Sequence, residues 1–279
     1  MKGFVTDSII GKRESNGGAA RLLWPLLGAC LWAAAVAFKP VIIVHGLFDS
    51  SGDFKNLQRF INESHPGTNV TVIDLFDRGS SLQPMWKQVE GFKAAIYPIM
   101  QNSAEGVHFI CYSQGGLICR GILSTLPNHN VHSFISLSSP QKRQHGVLWR
   151  YKFFVHTHTH THTHTHTHTH THTHTRNIYV LSHPAEWKKN FLRLNKLVLV
   201  GGPDDGVITP WQSSQFGFFD DNETVVEMQR QGVYLKDIFG LKTLAARGDL
   251  ILCSVPYVQH VWWHSNETVF HTCMEKWLV

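Results

Sequence analysis

The segment Val107-His-Phe-Ile-Cys-Tyr-Ser-Gln-Gly-Gly-Leu-Ile-Cys-Arg120 constrains the fold more than any other stretch of the chain. It reads as a buried strand, a very tight turn and a helix, with Ser113 at the apex. Such a turn lifts a serine hydroxyl above the edge of a sheet. It also puts the next backbone N–H where a negatively charged oxygen can form. Strand and helix backbones nearly touch there, so small residues are needed, and Gly115 and Gly116 supply them on the helix side. The glycine usual two residues before the serine is Cys111, which makes the motif C-x-S-x-G. Taken alone, the segment fits a plain strand–helix junction with an incidental serine equally well.

Three other segments decide between those readings. Lys39-Pro-Val-Ile-Ile-Val-His-Gly46 is a short apolar run suited to a central strand. The loop after it offers the Leu47 N–H as a second donor to an oxyanion, and Gly46 allows close backbone approach. Lys196-Leu-Val-Leu-Val-Gly-Gly202 is another such run, and it opens into a turn with Asp204 and Asp205 just past the strand end. Val258-Gln-His-Val-Trp-Trp-His264 offers His260 and His264. The chain order Ser, Asp, His matches an α/β-hydrolase and differs from the orders of two other serine hydrolase folds.

The remaining pattern agrees with that fold class. Helices are expected at Phe54–Ser64, Leu82–Gln101 and Gln114–Leu126, with strands at Asn69–Leu75, Val107–Tyr112 and Val131–Ser138. Alternating strands and helices imply a mostly parallel sheet flanked by helices, with right-handed crossovers. Ligands then bind beyond the carboxyl ends of the strands, where all the motif residues fall. At 279 residues the chain can bury one large core. Its formal charge of +5 comes without a Lys/Arg stripe interleaved with aromatics, so no nucleic-acid partner is expected.

The first 37 residues read as a secretory signal. Lys12, Arg13 and Arg21 precede the apolar run Leu22–Ala37, which ends in small residues. An uncleaved anchor is the alternative, but the first strand follows almost at once, so no stable membrane anchor is expected. Asn62, Asn69, Asn222 and Asn266 each open an N-glycosylation acceptor triplet. Cys30 leaves with the signal and four cysteines remain, an even number that implies disulfides in an oxidising compartment. The pairs expected are Cys111–Cys119, tying the strand to the helix across the Ser113 turn, and Cys253–Cys273, clipping the His260 loop to the last helix. Buried free thiols are the alternative.

Between about 142 and 183 the hydrolase domain expected over 38–279 is interrupted. His156–Thr175 is an unbroken His-Thr repeat that holds ten of the chain's twenty histidines. It has no apolar face and cannot build a core. A metal-binding strip is one reading of it. The simpler one is a CA dinucleotide repeat translated as CAC and ACA codons, a microsatellite of non-coding origin. The expectation is a disordered tract and a cap that is missing or disordered.

Long strings of the chain resemble the palmitoyl-protein thioesterase family. They are Val44-His-Gly-Leu-Phe-Asp-Ser50, Ile110-Cys-Tyr-Ser-Gln-Gly-Gly116, Ser136-Leu-Ser-Ser-Pro140, Gly201-Gly-Pro-Asp-Asp-Gly-Val-Ile-Thr-Pro-Trp211 and Phe239-Gly-Leu-Lys-Thr-Leu244, then the end from His260. The resemblance covers about 39–140 and 184–279. By position it implies Ser113 as nucleophile, Asp205 as acid and His260 as base, and the disulfide pairs above fit the family pattern. It implies a lysosomal, monomeric enzyme that cleaves fatty-acyl thioesters such as acyl-CoA, with no metal and no cofactor. A secreted lipase or carboxylesterase on oxygen esters, or a glycoprotein with an impaired acyl pocket, are the rival readings. The family caps its sheet with a helical insertion that lines the acyl groove, and this chain carries the His-Thr repeat there.

In this scheme the Leu47 and Gln114 N–H groups would bind the oxyanion. Asp204 and His264 are the runners-up to Asp205 and His260. The secretory reading has a direct check. Peptide mapping of protein recovered from secreting cells should find a first residue near Phe38 and glycans on some of the four asparagines. Intact peptides from Met1–Arg21, or no mass loss after glycosidase, would contradict it.

Overall fold

Period-two burial sorts the apolar strand residues onto two faces of one sheet. The structure, a computed structural model, describes residues 38–142 and 184–279. Residues 1–37, expected to be a signal segment, and the His156–Thr175 repeat lie outside the described residues. The strands are β1 (Val41–Val44), β2 (Val70–Val72), β3 (Val107–Tyr112), β4 (Val131–Leu137) and β5 (Lys196–Gly201), then β6 (Phe218–Phe219), β7 (Val225–Val226) and β8 (Leu250–Ser254). Six form a sheet in the order β2-β1-β3-β4-β5-β8, every neighbour parallel. β6 and β7 make a separate antiparallel pair.

The helices are α1 (Lys55–Ser64), α2 (Met85–Gln101), α3 (Gln114–Thr125), α4 (Pro184–Phe191), α5 (Gly232–Leu235) and α6 (Leu241–Ala246), followed by short helical turns near the C-terminus. One sheet face carries Ile42, Val44, Phe109, Cys111, Phe134, Leu197 and Leu199 into a core with α2, α3 and α6 residues. The other carries Val41, Ile43, Ile110, Tyr112, Ile135, Val198 and Val200 against α1 and the C-terminal turns, including Trp263 and Phe270. Both faces are thus covered, which is why these strands read as near-continuous apolar runs. The all-parallel sheet with helices on both faces is the α/β architecture expected.

Most elements match the expected bounds to within one residue, and the larger departures have physical causes. The helix expected from Leu82 begins at Met85, because Pro84 forces Gln83 to extended backbone at φ −61° and ψ 158°. Residues Arg78–Leu82 form a separate 3-10 turn before it. The strand expected over Asn69–Leu75 shrinks to Val70–Val72, since it lies at the sheet edge with a partner on one side only. Leu250–Ser254, unassigned from the sequence, is the opposite edge strand, and its burial is only partial.

Both expected disulfides are present. Cys111–Cys119 joins β3 to α3 with Cα atoms 6.5 Å apart, and Cys253–Cys273 joins β8 to the C-terminal turns at 5.8 Å. Asn62, Asn69 and Asn222 are exposed, and Asn266 is half-buried with its Oδ1 accepting from the Val269 N–H at 3.0 Å. Among the described residues no helix is long and apolar enough to cross a membrane.

Two buried histidines give the fold a pH dependence. Burial holds His108 down to about 3, helped by the nearby charges of His132 and Lys39. Burial likewise holds His129 down to about 4, partly opposed by its hydrogen bond to the Asn190 carbonyl at 2.8 Å. An unfolded chain protonates these rings near 6.5, whereas the folded chain keeps them neutral. Their contribution is therefore intact above pH ~6.5 and is lost as pH falls toward the folded values. Each ring removes at most about 1.4 kcal/mol of stability per pH unit in that window. Urea unfolding at pH 7 and pH 5 should show lower stability at pH 5, with a smaller drop in His108→Leu. Equal drops in both proteins would contradict this assignment.

Candidate active site

The site is assembled where four strands end. Ser113 follows β3, Ser138 follows β4, Asp205 lies in the turn after β5, and His260 lies in the loop after β8. Backbone hydrogen bonds stitch these ends together. Ser113 N–H donates to Leu137 O at 2.9 Å, Ser138 N–H to Val200 O at 2.8 Å, and His260 N–H to Asp205 O at 2.8 Å. The Tyr112 hydroxyl, whose pKa is raised by burial, donates to His260 O at 2.7 Å.

Ser113 has φ 51° and ψ −121°, a backbone that L residues rarely adopt. The surrounding residues hold it there. A Cβ at Gly115 would run into the Val44 carbonyl and lie 2.6 Å from the His45 carbonyl oxygen. A Cβ at Gly46 would lie 2.9 Å from Ser113 Cβ and 2.7 Å from Asp49 Oδ2. No side chain fits at either position, so the backbones approach as the sequence reading required. The Gln114 side chain anchors the turn from below, donating to Ser81 O and Gln88 Oε1 at 2.9 Å each. Ser81 also accepts from the Phe48 N–H at 2.8 Å, which fixes the loop that carries Leu47. Among the described residues the Leu47 and Gln114 N–H groups make no hydrogen bond.

His260 Nε2 lies 3.0 Å from Ser113 Oγ, and His260 Nδ1 lies 3.0 Å from both carboxylate oxygens of Asp205. Asp205 is 3% exposed. Its Oδ1 accepts from the Val207 and Ile208 N–H groups at 3.1 and 2.7 Å. Its Oδ2 accepts from Ser138 Oγ at 2.5 Å and from the Trp263 indole N–H at 2.6 Å. Burial pushes this carboxyl up, but the His260 hydrogen bond and charge, the Ile208 N–H and the Ser138 hydroxyl outweigh it. The net pKa is below the usual carboxylate value. Nearby, burial and the charge of Asp53 raise the Asp49 carboxyl, with His45 opposing.

The arrangement brings Ser113, Asp205 and His260 together and leaves both runners-up outside the chain of hydrogen bonds. Asp204 turns away to accept from the Tyr257 N–H at 2.6 Å. The His264 ring packs on Phe54 at 4.7 Å and edge-on to Tyr112 at 5.1 Å, where burial lowers its pKa. Ser138 and Trp263 were not identified as site residues from the sequence. Ser138 lies in the string Ser136-Leu-Ser-Ser-Pro140 and Trp263 beside His264, so position at a strand end was the available signal for Ser138. Among the described residues no group of three or more His, Cys, Asp or Glu is placed to hold a metal ion.

The palmitoyl protein thioesterase family matches residues 40–260, a span that includes Ser113, Ser138, Asp205 and His260. The protein belongs to that family. It is 50% identical to the lysosomal thioesterase PPT2 of Mus musculus, over 93% of this chain and 95% of the mouse protein. Identity to lysosomal thioesterase PPT2 of Homo sapiens is 49%, over 92% of this chain and 95% of the human one. The lysosomal thioesterase PPT2 homolog of Drosophila melanogaster is 34% identical over 92% and 98% of the two chains.

The two histidines make opposite predictions. His260→Gln should abolish covalent labelling of Ser113 by a fluorophosphonate probe at neutral pH. His264→Gln should keep the labelling rate within about tenfold of wild type, because no reacting atom depends on it. The reverse ranking would move the base to His264.

Proposed function

We propose that this chain hydrolyses fatty-acyl thioesters through an acyl-enzyme on Ser113, with His260 as general base and Asp205 as the acid that orients it. The observation that carries the reading is the unbroken contact chain from Ser113 Oγ through both His260 nitrogens to Asp205, each link 3.0 Å. His260 Nε2 takes the Ser113 proton as Oγ attacks the thioester carbonyl carbon. The carbonyl oxygen becomes an oxyanion, and the Leu47 and Gln114 N–H groups are the donors that face it in this reading. Collapse of the intermediate breaks the C–S bond, and the imidazolium returns its proton to the departing thiolate. Water then attacks the acyl-enzyme with His260 again as base, releasing the fatty acid and free Ser113. Asp205 stays ionised throughout and stabilises the imidazolium without taking its proton.

The apolar acyl group is supported by the surroundings of the site. Phe48, Val207, Val261 and Trp262 are exposed on the same loops that carry Gly46, Asp205 and His260. A fatty chain would cover such side chains, and a small polar ester would leave them in water. The relatives named lysosomal thioesterases support a lysosomal site of action and a thioester substrate. The four exposed or half-exposed sequons support a glycoprotein.

Ser113→Ala should lower thioester hydrolysis by about 10⁴- to 10⁶-fold with an unchanged melting temperature. Rates on a long-chain acyl-CoA and on the matched oxygen ester, measured in parallel, should favour the thioester. Activity within tenfold of wild type in Ser113→Ala, or faster cleavage of the oxygen ester, would contradict the proposal.

A further inference from the structure

Ser138 directly follows β4, with no exposed surface and a backbone φ of 46°, in the left-handed region that L side chains rarely adopt. Its backbone N–H already satisfies Val200 O, so sheet pairing does not need its side chain. The hydroxyl instead lies 2.5 Å from Asp205 Oδ2 and 3.2 Å from His260 Nδ1. The next residue differs: the Ser139 hydroxyl donates to the Cys111 carbonyl at 3.4 Å, a contact within the fold. A strained residue whose side-chain partners among the described residues are an acid and a base points to function rather than packing.

We propose that Ser138 is a positioning residue for the Asp205–His260 pair, its hydroxyl donating to Asp205 Oδ2 and accepting from the His260 Nδ1–H. The inference rests on the reading of that pair as acid and base. A hydroxyl has one proton. Given to the carboxylate, it leaves only lone pairs toward His260 Nδ1, so the tautomer that fits carries its hydrogen on Nδ1. Nε2 is then the unprotonated nitrogen, 3.0 Å from the Ser113 hydroxyl it must deprotonate. The Trp263 indole and the Val207 and Ile208 N–H groups donate to the same carboxylate but do not touch the ring nitrogen. Ser138 alone bridges the two.

The sign of the pH effect follows from the donor count. Removing a donor from Asp205 makes its charge less well stabilised, so the pair binds its inactivating proton at higher pH. The acid limb of kcat/KM then moves upward. The other titratable groups whose charge reaches the pair are Asp49 from the loop after β1, Tyr112 from β3 and His264 beyond Trp263, all retained in the variants below.

Two variants separate the hydroxyl from the backbone. Ser138→Gly loses the hydroxyl and accepts φ 46° without strain, whereas Ser138→Ala loses it and keeps the strain. Both should lose about 10- to 100-fold in kcat, the effect of one hydrogen bond to a charged group, with KM within twofold of wild type. Both should show the upward shift of the acid limb. Both lose the bond to Asp205, but only glycine sheds the strain, so Ser138→Gly should melt above Ser138→Ala. A Ser138→Gly protein with wild-type kcat and an unmoved acid limb would overturn the proposal, as would a kcat loss that tracks melting temperature across the two variants. Fluorophosphonate labelling of Ser113 in the unmodified protein is measured first. Its absence would sink the reading of the pair itself, whereas normal labelling with an unaffected Ser138→Gly variant would sink only the role of Ser138.

Discussion

The carboxylate of Asp205 is almost fully buried, and it survives as a charge only because five groups point hydrogen at it. They are two backbone N–H groups of its own turn, a hydroxyl from the end of β4, the Trp263 indole and the His260 ring. The donors arrive from three separate stretches of chain. A buried unpaired carboxylate is costly, so the turn after β5, the end of β4 and the loop after β8 must converge for the protein to fold as it does. The convergence that satisfies this charge is also the one that points His260 Nε2 at Ser113.

The second constraint is steric. Ser113 occupies its strained backbone because β1, β3 and α3 leave no alternative: Gly46 and Gly115 have no room for a side chain, and the Cys111–Cys119 bridge ties the strand below the turn to the helix above it. A disulfide closing a loop this short removes roughly 2–3 kcal/mol of unfolded-state freedom in the chain-entropy account. The position before the elbow that usually holds glycine is thus used to brace the elbow. On the opposite edge Cys253–Cys273 braces β8, the strand that leads into the His260 loop.

Much of this was legible in the residues. Strands β1, β3, β4 and β5 are apolar on both faces and announce themselves, and Ser113 between a strand and a glycine pair has few other readings. Asp205 fits an Asp-x-Val pattern after the strand better than Asp204 does, whereas nothing in the residues alone separates His260 from His264 in their shared loop. The resemblance to a family favours His260, the histidine that lies 3.0 Å from Ser113 Oγ. Ser138 could not be assigned, since a hydroxyl in a Ser-Ser pair carries no mark of its backbone angle or its partner sixty-seven positions away. Pro84 is visible in the sequence, but it holds Gln83 extended and so delays the helix to Met85, which helical periodicity alone does not show. Edge strand β8 escaped because half of its surface stays in water.

The central claim is that an acyl group passes through Ser113. Enzyme mixed with a long-chain acyl-CoA, quenched in acid within the first turnovers and digested, should yield a peptide spanning Ser113 heavier by one fatty acid minus water. That mass should build up in the burst phase and vanish as substrate is exhausted. Acyl mass on any other residue, or turnover with no acyl-peptide at any quench time, would contradict the account.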